Sequence, residues 1–301
     1  MTEIVQGLND ILGHENVFVN EDMAKHTTFR TGGAAELFLT PVDGQMLREA
    51  ILYLRKHDIR YIIIGNGSNI LVRDHGIRGA VIQIHQKMSG IIIDGETVKA
   101  QAGALLSNVA VRAADASLGG LAFAAGIPGA VGGAITMNAG AYGGEIKDVL
   151  TEVEVLTQDL AFRVLSADEL ALSYRHSIIP EKQYIVVSAT FTLCRQPITE
   201  IKAEMQDLAQ RRRDKQPLQY PSAGSTFKRP EGYFAGKLIE DSGLKGKQIG
   251  GAQVSEKHAG FIINREHATS KDILDLIAYC QEQVFDMFGV QMETEVKIIG
   301  E

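Results

Sequence analysis

From about Leu37 to Gln101 the chain alternates short apolar runs with turn residues. Tyr61-Ile62-Ile63-Ile64, Ile70-Leu71-Val72, Ala80-Val81-Ile82-Gln83-Ile84 and Ile91-Ile92-Ile93 are rich in β-branched residues. They predict a sheet with tight connections. Between Asp43 and His57 the period changes: Met46, Leu47, Ala50, Ile51 and Leu54 share a helical face. A second texture runs from Gly103 to Arg195. It predicts a helix over Leu105–Ser117, a glycine-rich loop, and strands at Val153–Leu156 and Tyr184–Leu193. A short helix between those strands opens with the capping pair Ser166 and Glu169.

A third texture begins at Pro197, a residue suited to a first helical turn. Ile201, Met205 and Leu208 give a helix reaching about Lys215. Two more helices are expected, at Phe234–Asp241 and at Thr269–Phe288, the latter opening with Thr269 and Asp272. Glu295–Ile299 reads as a closing strand. The change of texture near residue 196 marks the expected domain cut. No tandem repeat of 20–50 residues and no low-complexity tract interrupts the pattern.

The length of 301 residues suits two or three domains, and 45% hydrophobic residues suit packed cores. A net charge of −7 offers no global positive field for nucleic acid, although a local cluster can still bind a small anion. Cys194 and Cys280 lack any metal-ligand spacing, so no zinc site is expected; both read as reduced, buried thiols. Met1–Asn20 contains Glu3, Asp10 and Glu15 and does not read as a signal peptide. No run approaches ~18 apolar residues. The expectation is a soluble, cytoplasmic protein.

Several segments carry possible chemistry. Gly65-Asn66-Gly67-Ser68-Asn69 follows a strand and lets backbone N–H groups approach an anion, or is simply a tight turn. It matches neither the dinucleotide fingerprint nor a P-loop. Gly126-Ile127-Pro128-Gly129-Ala130-Val131-Gly132-Gly133 and Asn138-Ala139-Gly140-Ala141-Tyr142-Gly143-Gly144 read as a long loop wrapping a flat or phosphorylated ligand. The alternative is a buried small-residue packing surface. Two such stretches without a Walker lysine favour a dinucleotide cofactor.

Arg175, in Ser173-Tyr174-Arg175-His176-Ser177, could fork a carboxylate or form a surface ion pair. Arg211, Arg212, Arg213 and Lys215 either complement a helix dipole or meet a diphosphate. Pro221-Ser222-Ala223-Gly224-Ser225-Thr226-Phe227-Lys228-Arg229-Pro230 compresses hydroxyls and cations without a hydrolase elbow. Glu295, on a closing strand, would ordinarily face solvent. The residues alone reach a dinucleotide-binding enzyme with a separate anion-binding domain.

In combination these segments resemble the UDP-N-acetylenolpyruvoylglucosamine reductase (MurB) family. The resemblance runs in order through Thr27-Thr28-Phe29-Arg30-Thr31-Gly32-Gly33, both glycine stretches, Tyr174–Ser177, Gly224–Pro230 and Ala235-Gly236-Lys237-Leu238-Ile239-Glu240. It ends with His258-Ala259-Gly260-Phe261-Ile262-Ile263-Asn264 and Glu295–Gly300, so it covers about residues 26–300. The direct passage from Tyr184–Val187 into Phe191–Leu193 resembles the shorter, second type of the family.

The resemblance implies an α+β fold: a two-subdomain FAD-binding unit of the vanillyl-alcohol oxidase (PCMH-like) type over residues 1–195, divided at about 75, then an α+β substrate-binding domain over 196–301. It implies non-covalent FAD and NADPH as co-substrate. FAD would pass hydride to the β-carbon of UDP-N-acetylglucosamine enolpyruvate, and a proton at the α-carbon would complete UDP-N-acetylmuramate. Arg175, Ser225 and Glu295 carry over as catalytic, Ser225 as the proton donor. Gly65, Asn66, Gly67, Ser68, Asn69, Gly126, Ile127, Pro128, Gly129, Gly132, Gly133, Asn138 and Gly140 carry over to FAD. Tyr142, Arg213, Lys215 and His258 carry over to the substrate. No metal, nucleic acid, membrane or obligate protein partner is implied. Another oxidoreductase of the same flavin fold and a non-catalytic nucleotide-binding regulator are the rivals. The first leaves Gly224–Pro230 with Glu295 unexplained, and the second should show no flavin absorbance.

Overall fold

The computed structural model describes residues 2–301, and the chain divides into two compact units. The first takes residues up to Phe18, Phe38–Asn66 and Ala80–Arg211; the second takes Val19–Leu37, Gly67–Gly79 and Arg212–Glu301. This division is discontinuous in sequence and so differs from a single cut near residue 196.

The first unit is organised by a five-stranded antiparallel sheet in the order Phe162–Ser166, Leu150–Leu156, Ile185–Thr192, Thr97–Gln101, Ile91–Asp94. Val153 faces Leu165 and Ala189, and Phe191 faces Val98. All five side chains are buried, which makes this row one wall of the core. The outer strand Phe162–Ser166 buries only Leu165. Its lack of apolar alternation explains why the sequence pattern did not reveal it. The parallel pair formed by Tyr61–Ile64 with Ala80–Gln83 supplies further buried residues, Ile64, Val81 and Ile82 among them. Helix Gly44–Lys56 is started by the Asp43 carboxylate, which accepts from the Met46 N–H at 2.7 Å. It buries Leu47, Ala50, Ile51 and Leu54, as its spacing predicted. Helix Leu106–Asp115 does the same with Leu106, Val109, Ala110 and Ala113.

Two local expectations need correction. The glycine-rich stretch is not one long loop, because Val131–Thr136 is helical. Val131, Ala134 and Ile135 are buried at helical spacing, and that burial outweighs the poor propensity of Gly132 and Gly133. The short helix expected after Ser166 is only a 3-10 turn, Asp168–Leu170. The Ser166–Glu169 bonds form, with the Ser166 N–H donating to Glu169 Oε2 at 2.9 Å, but no longer helix follows them.

In the second unit helix Ser270–Phe288 packs on a three-stranded antiparallel sheet, Gln248–Ile249, Ala252–Val254 and Ile262–Asn264. Its N-terminus is satisfied twice. Thr269 and Asp272 form the reciprocal capping box, and the Asp74 carboxylate accepts from the N–H groups of Ser270 and Lys271 at 2.7 and 3.0 Å. Phe29, Leu71, Ile262, Leu276 and Val296 share one core, which draws early and late chain together. Three polar ties act with it. Ile70–Val72 pairs in parallel with Lys297–Ile299, the Asn264 amide donates to the Phe29 carbonyl at 3.0 Å, and the Thr31 hydroxyl donates to the Ala268 carbonyl at 2.8 Å.

Only one of the two cysteines is buried. Cys280 lies in the second unit's core, where burial pushes its thiol up to about 12. Cys194 is exposed on a two-residue strand paired with Leu118–Gly119. Among the described residues no helix is long and apolar enough to cross a membrane. Nor do they contain a group of His, Cys, Asp and Glu side chains that could hold a metal ion.

Candidate active site

Strand Tyr61–Ile64 delivers the first glycine segment. Gly67 adopts φ +64, and a Cβ there would lie 2.0 Å from the His26 carbonyl oxygen, so the fold itself demands glycine. Both asparagines of the segment are used inside the protein. Asn66 Nδ2 donates to the Pro128 carbonyl at 2.5 Å, joining the first glycine segment to the second. Asn69 Nδ2 donates to the Glu295 carbonyl at 3.0 Å. Gly65 and Ser68 are half-buried, and the Gly65 carbonyl accepts from the Gln83 amide at 3.1 Å.

Gly126 ends the 3-10 helix Ala122–Gly126, and Ile127, Pro128 and Gly129 lead from it toward helix Val131–Thr136. The Gly129 carbonyl accepts from the Leu106 N–H at 2.9 Å, and the Gly132 N–H donates to the Ala102 carbonyl at 2.8 Å. Gly133 behaves differently: nothing lies within 4 Å of where its Cβ would be. A helical glycine costs about 1 kcal/mol relative to alanine, and packing within the protein gives no return for it here. The open space against this backbone leaves room for a flat dinucleotide such as FAD.

Asn138, 1% exposed, is a hub. Its Nδ2 donates to Glu145 Oε2 at 2.7 Å and to the Ser173 carbonyl at 3.1 Å, while its Oδ1 accepts from the Lys147 N–H at 3.0 Å. Gly140 begins a two-residue strand paired with Gly144–Glu145. Tyr142 stands exposed at the turn between them with φ +54. It borders a cavity of about 170 Å³ that also touches Phe123, Glu204 and Leu208.

The hub holds Arg175. Ser173 and His176 exchange backbone hydrogen bonds at 3.2 Å, closing a four-residue turn with Arg175 at φ +53. One end of the turn is tied to Asn138; at the other, the Ser177 hydroxyl donates to the Thr136 carbonyl at 2.7 Å. The guanidinium lies over the Tyr174 ring, 5.2 Å from its centroid.

The segments that carry Ser225 and Glu295 are joined in the second unit through the backbone of Thr226. The Glu295 N–H donates to the Thr226 carbonyl at 2.8 Å, and the Thr226 N–H donates to the Gly260 carbonyl at 2.8 Å. Thr226 is fully buried, and its hydroxyl oxygen accepts from the Ile262 N–H at 3.1 Å. Ser225, one residue earlier, is exposed. Glu295 is half-buried, not the solvent-facing residue its place on a terminal strand suggested; the regular strand is Lys297–Ile299. Lys228 lies three residues from Ser225 in the same segment. Its ammonium contacts Glu293 Oε2 at 2.9 Å and, through hydrogen bonding and charge, lowers that carboxyl below its ordinary range.

Arg213 and Lys215 are exposed in the last turn of helix Ile198–Lys215. The Arg213 carbonyl accepts from Lys257 Nζ. His258 is half-buried, and its Nδ1 accepts from the Gly260 N–H at 3.1 Å. Burial first, and the nearby Lys245 and Lys215 charges second, hold its imidazole below the usual histidine range. Three features escaped the sequence reading: the Asn138 hub, the bond from Asn69 to Glu295, and the burial of Arg212 at 9% exposure. An asparagine ending a glycine segment was the available signal for the second. Nothing in the basic run distinguishes Arg212.

Comparison with known proteins identifies two matching families. An FAD binding domain family matches residues 35–160, and the UDP-N-acetylenolpyruvoylglucosamine reductase C-terminal domain family matches 216–299. The fold and site therefore define an FAD-dependent oxidoreductase. The chain is 52% identical over 297 residues to the UDP-N-acetylenolpyruvoylglucosamine reductase of Clostridium botulinum (strain Hall), covering 99% of this chain and 97% of that one. It is 51% identical to that of Caldanaerobacter subterraneus subsp. tengcongensis over all of both chains. The crystal structure of the Thermus caldophilus enzyme (MurB) superposes with a TM-score of 0.81 at 35% identity, covering 94% of this chain and 97% of that one. An alkyldihydroxyacetonephosphate synthase structure matches at a TM-score of 0.50 and 16% identity, over 65% of this chain and 40% of that one, which speaks to the fold alone. The chain belongs to the UDP-N-acetylenolpyruvoylglucosamine reductase family.

Proposed function

We propose that the protein reduces UDP-N-acetylglucosamine enolpyruvate to UDP-N-acetylmuramate with NADPH as electron source, in peptidoglycan precursor synthesis. The observation that carries this reading is the hydrogen bond from the Glu295 N–H to the Thr226 carbonyl. It ties the segment that carries the Glu295 carboxyl group to the segment that carries the Ser225 hydroxyl, within one unit.

FAD, when bound, would supply the hydride chemistry at the enolpyruvyl β-carbon, with NADPH as the source of electrons. The chain's own residues manage the charge that follows. Negative charge spreads toward the substrate carboxylate, and a fixed cation there lowers the barrier; Arg175 is assigned that role. Ser225 delivers the proton to the α-carbon. A hydroxyl is a weak acid, so its role depends on donors that steady the oxygen as the proton leaves. Glu295 is assigned as a further partner beside the enolate-like charge.

FAD is assigned to the backbone of Gly65–Asn69, to Gly126–Gly129, to Gly132, Gly133 and Gly140, and to the part of the first unit that Asn138 organises. The open position at Gly133 supports this. Arg213 and Lys215 suit the diphosphate as cations, and Tyr142 and His258 are assigned to the same substrate. Both small molecules belong to the cytoplasm, which supports that location. The test is spectroscopic. Purified protein should be yellow, bleach anaerobically with NADPH, and recover its absorbance with UDP-N-acetylglucosamine enolpyruvate. Protein that takes up no FAD, or whose reduced flavin ignores that substrate, excludes the assignment.

A further inference from the structure

We infer that Asn69 is a positioning residue for Glu295, an inference that rests on the catalytic role proposed for Glu295 above. Asn69 closes the first glycine segment, and residue type and place suggested a cofactor contact. The structure gives its side chain a different use. Nδ2 donates to the Glu295 carbonyl at 3.0 Å, and the Asn69 carbonyl accepts from the Lys297 N–H at 2.9 Å. Asn69 therefore grips the chain on both sides of Val296. On the other flank the Glu295 N–H is bound to the Thr226 carbonyl.

Both backbone polar groups of Glu295 are thus engaged, one by the neighbour of Ser225 and the other by Asn69. The pairing of Ile70–Val72 with Lys297–Ile299 begins only at Lys297. Without the Asn69 amide, Glu295 would be the residue where that ladder ends and its carbonyl would lose this partner. The donor is the side-chain amide, while the Asn69 carbonyl serves separately as the acceptor for the Lys297 N–H. An amide at this position supplies both the reach and the N–H. Two consequences follow: the peptide plane of Glu295 is fixed, and with it the direction in which the carboxyl leaves the backbone. A misplacement of about 1 Å at a reacting centre costs on the order of 10²-fold in rate.

The experiment uses the full-length FAD-loaded enzyme. Asn69→Ala and the near-isosteric Asn69→Asp, which replaces the N–H donor with an acceptor, are compared with Glu295→Gln and with the Asn69→Ala/Glu295→Gln double variant. FAD affinity is read from flavin fluorescence, folding from thermal melting. Reoxidation of NADPH-reduced flavin is read over a range of UDP-N-acetylglucosamine enolpyruvate concentrations. Asn69→Ala should hold FAD within about threefold of the parent. Its limiting reoxidation rate should fall about 10- to 100-fold, with the half-saturating substrate concentration little changed. In the Glu295→Gln background the same change should cost less than about threefold, since coupled residues do not add.

Loss of FAD in Asn69→Ala would make the Asn69 side chain a cofactor contact and overturn the inference. So would full additivity with Glu295→Gln, or an Asn69→Ala rate equal to the parent while Glu295→Gln is slow. A Glu295→Gln enzyme with the parent's rate would instead remove the catalytic reading of Glu295 itself. If neither Asn69 variant folds, the bond is a folding contact and the inference fails.

Discussion

Arg175 stands in a four-residue turn anchored by two side-chain hydrogen bonds, one from Asn138, 35 residues away, and one from Ser177 to a carbonyl 41 residues away, whereas Thr226, the neighbour of Ser225, and Glu295 are joined by a backbone bond between distant segments. The Lys228–Glu293 ion pair beside that junction spans 65 residues, and the Asn69 bond to Glu295 spans 226. The turn also carries strain. Arg175 and the hub residue Asn138 have φ of +53 and +42, a region that costs most L-residues about 1–2 kcal/mol. The Ser225 segment needs a left-handed residue only at Gly224, where glycine bears it at little cost. One functional group is therefore held by a few side-chain bonds around a strained turn, the other by unstrained main-chain pairing. The first arrangement depends on particular side chains. The second persists as long as its unit is folded.

Substitutions at three positions sharpen that contrast. Arg175→Ala should show the largest effect. Losing one donor at developing charge costs about 10²–10³-fold, so reoxidation by substrate should slow by that factor while melting stays near the parent's. Arg175→Lys should recover only part of the rate, because an ammonium does not reproduce the fork. A rate within a few-fold of normal in Arg175→Ala would place the guanidinium outside the reaction. Thr226→Val tests the other arrangement. It removes the acceptor for the Ile262 N–H but leaves both backbone bonds of residue 226. Stability should fall by about 1–3 kcal/mol, read from denaturant unfolding, with the substrate step changed less than about threefold. A collapse of rate without loss of stability would show that backbone pairing alone does not hold Ser225. Gly133→Ala should have the smallest effect on folding, a gain of up to about 1 kcal/mol, yet weaken FAD binding measured by fluorescence. Unchanged FAD affinity would mean that the gap at Gly133 does not face the cofactor.

The same contrast governs what could be read from the chain. Elements fixed by near neighbours were legible. Asp43 capping Gly44–Lys56, Thr269 with Asp272 starting Ser270–Phe288, and the apolar strands of the first unit all follow from local spacing and hydrogen bonding. Helix Val131–Thr136 was hidden because Gly132 and Gly133 mask a burial pattern that only the folded core makes worthwhile. Strand Phe162–Ser166 was hidden because four of its five side chains face outward. The discontinuity of the second unit was illegible for a different reason: it depends on Ile70–Val72 meeting Lys297–Ile299, and no local pattern encodes a partner so distant. The types of the candidate residues were visible from the ordered motifs. Their supports were not, because a carbonyl acceptor such as that of Glu295, Ser173 or Pro128 leaves no mark on the side-chain sequence.

The most direct test of the mechanism separates its two half-reactions in Ser225→Ala. Ser225 is assigned only to protonation of the substrate carbon, and reduction of the flavin by NADPH needs no proton there. Stopped-flow absorbance should show the variant loaded with FAD and reduced by NADPH at close to the parent rate. Its reoxidation by UDP-N-acetylglucosamine enolpyruvate should then be slowed by at least ~10²–10⁴-fold, the range for losing a positioned acid. Slow reduction by NADPH combined with normal reoxidation by substrate would contradict the account, and would make Ser225 a residue of the nicotinamide half-reaction or of the loop's structure.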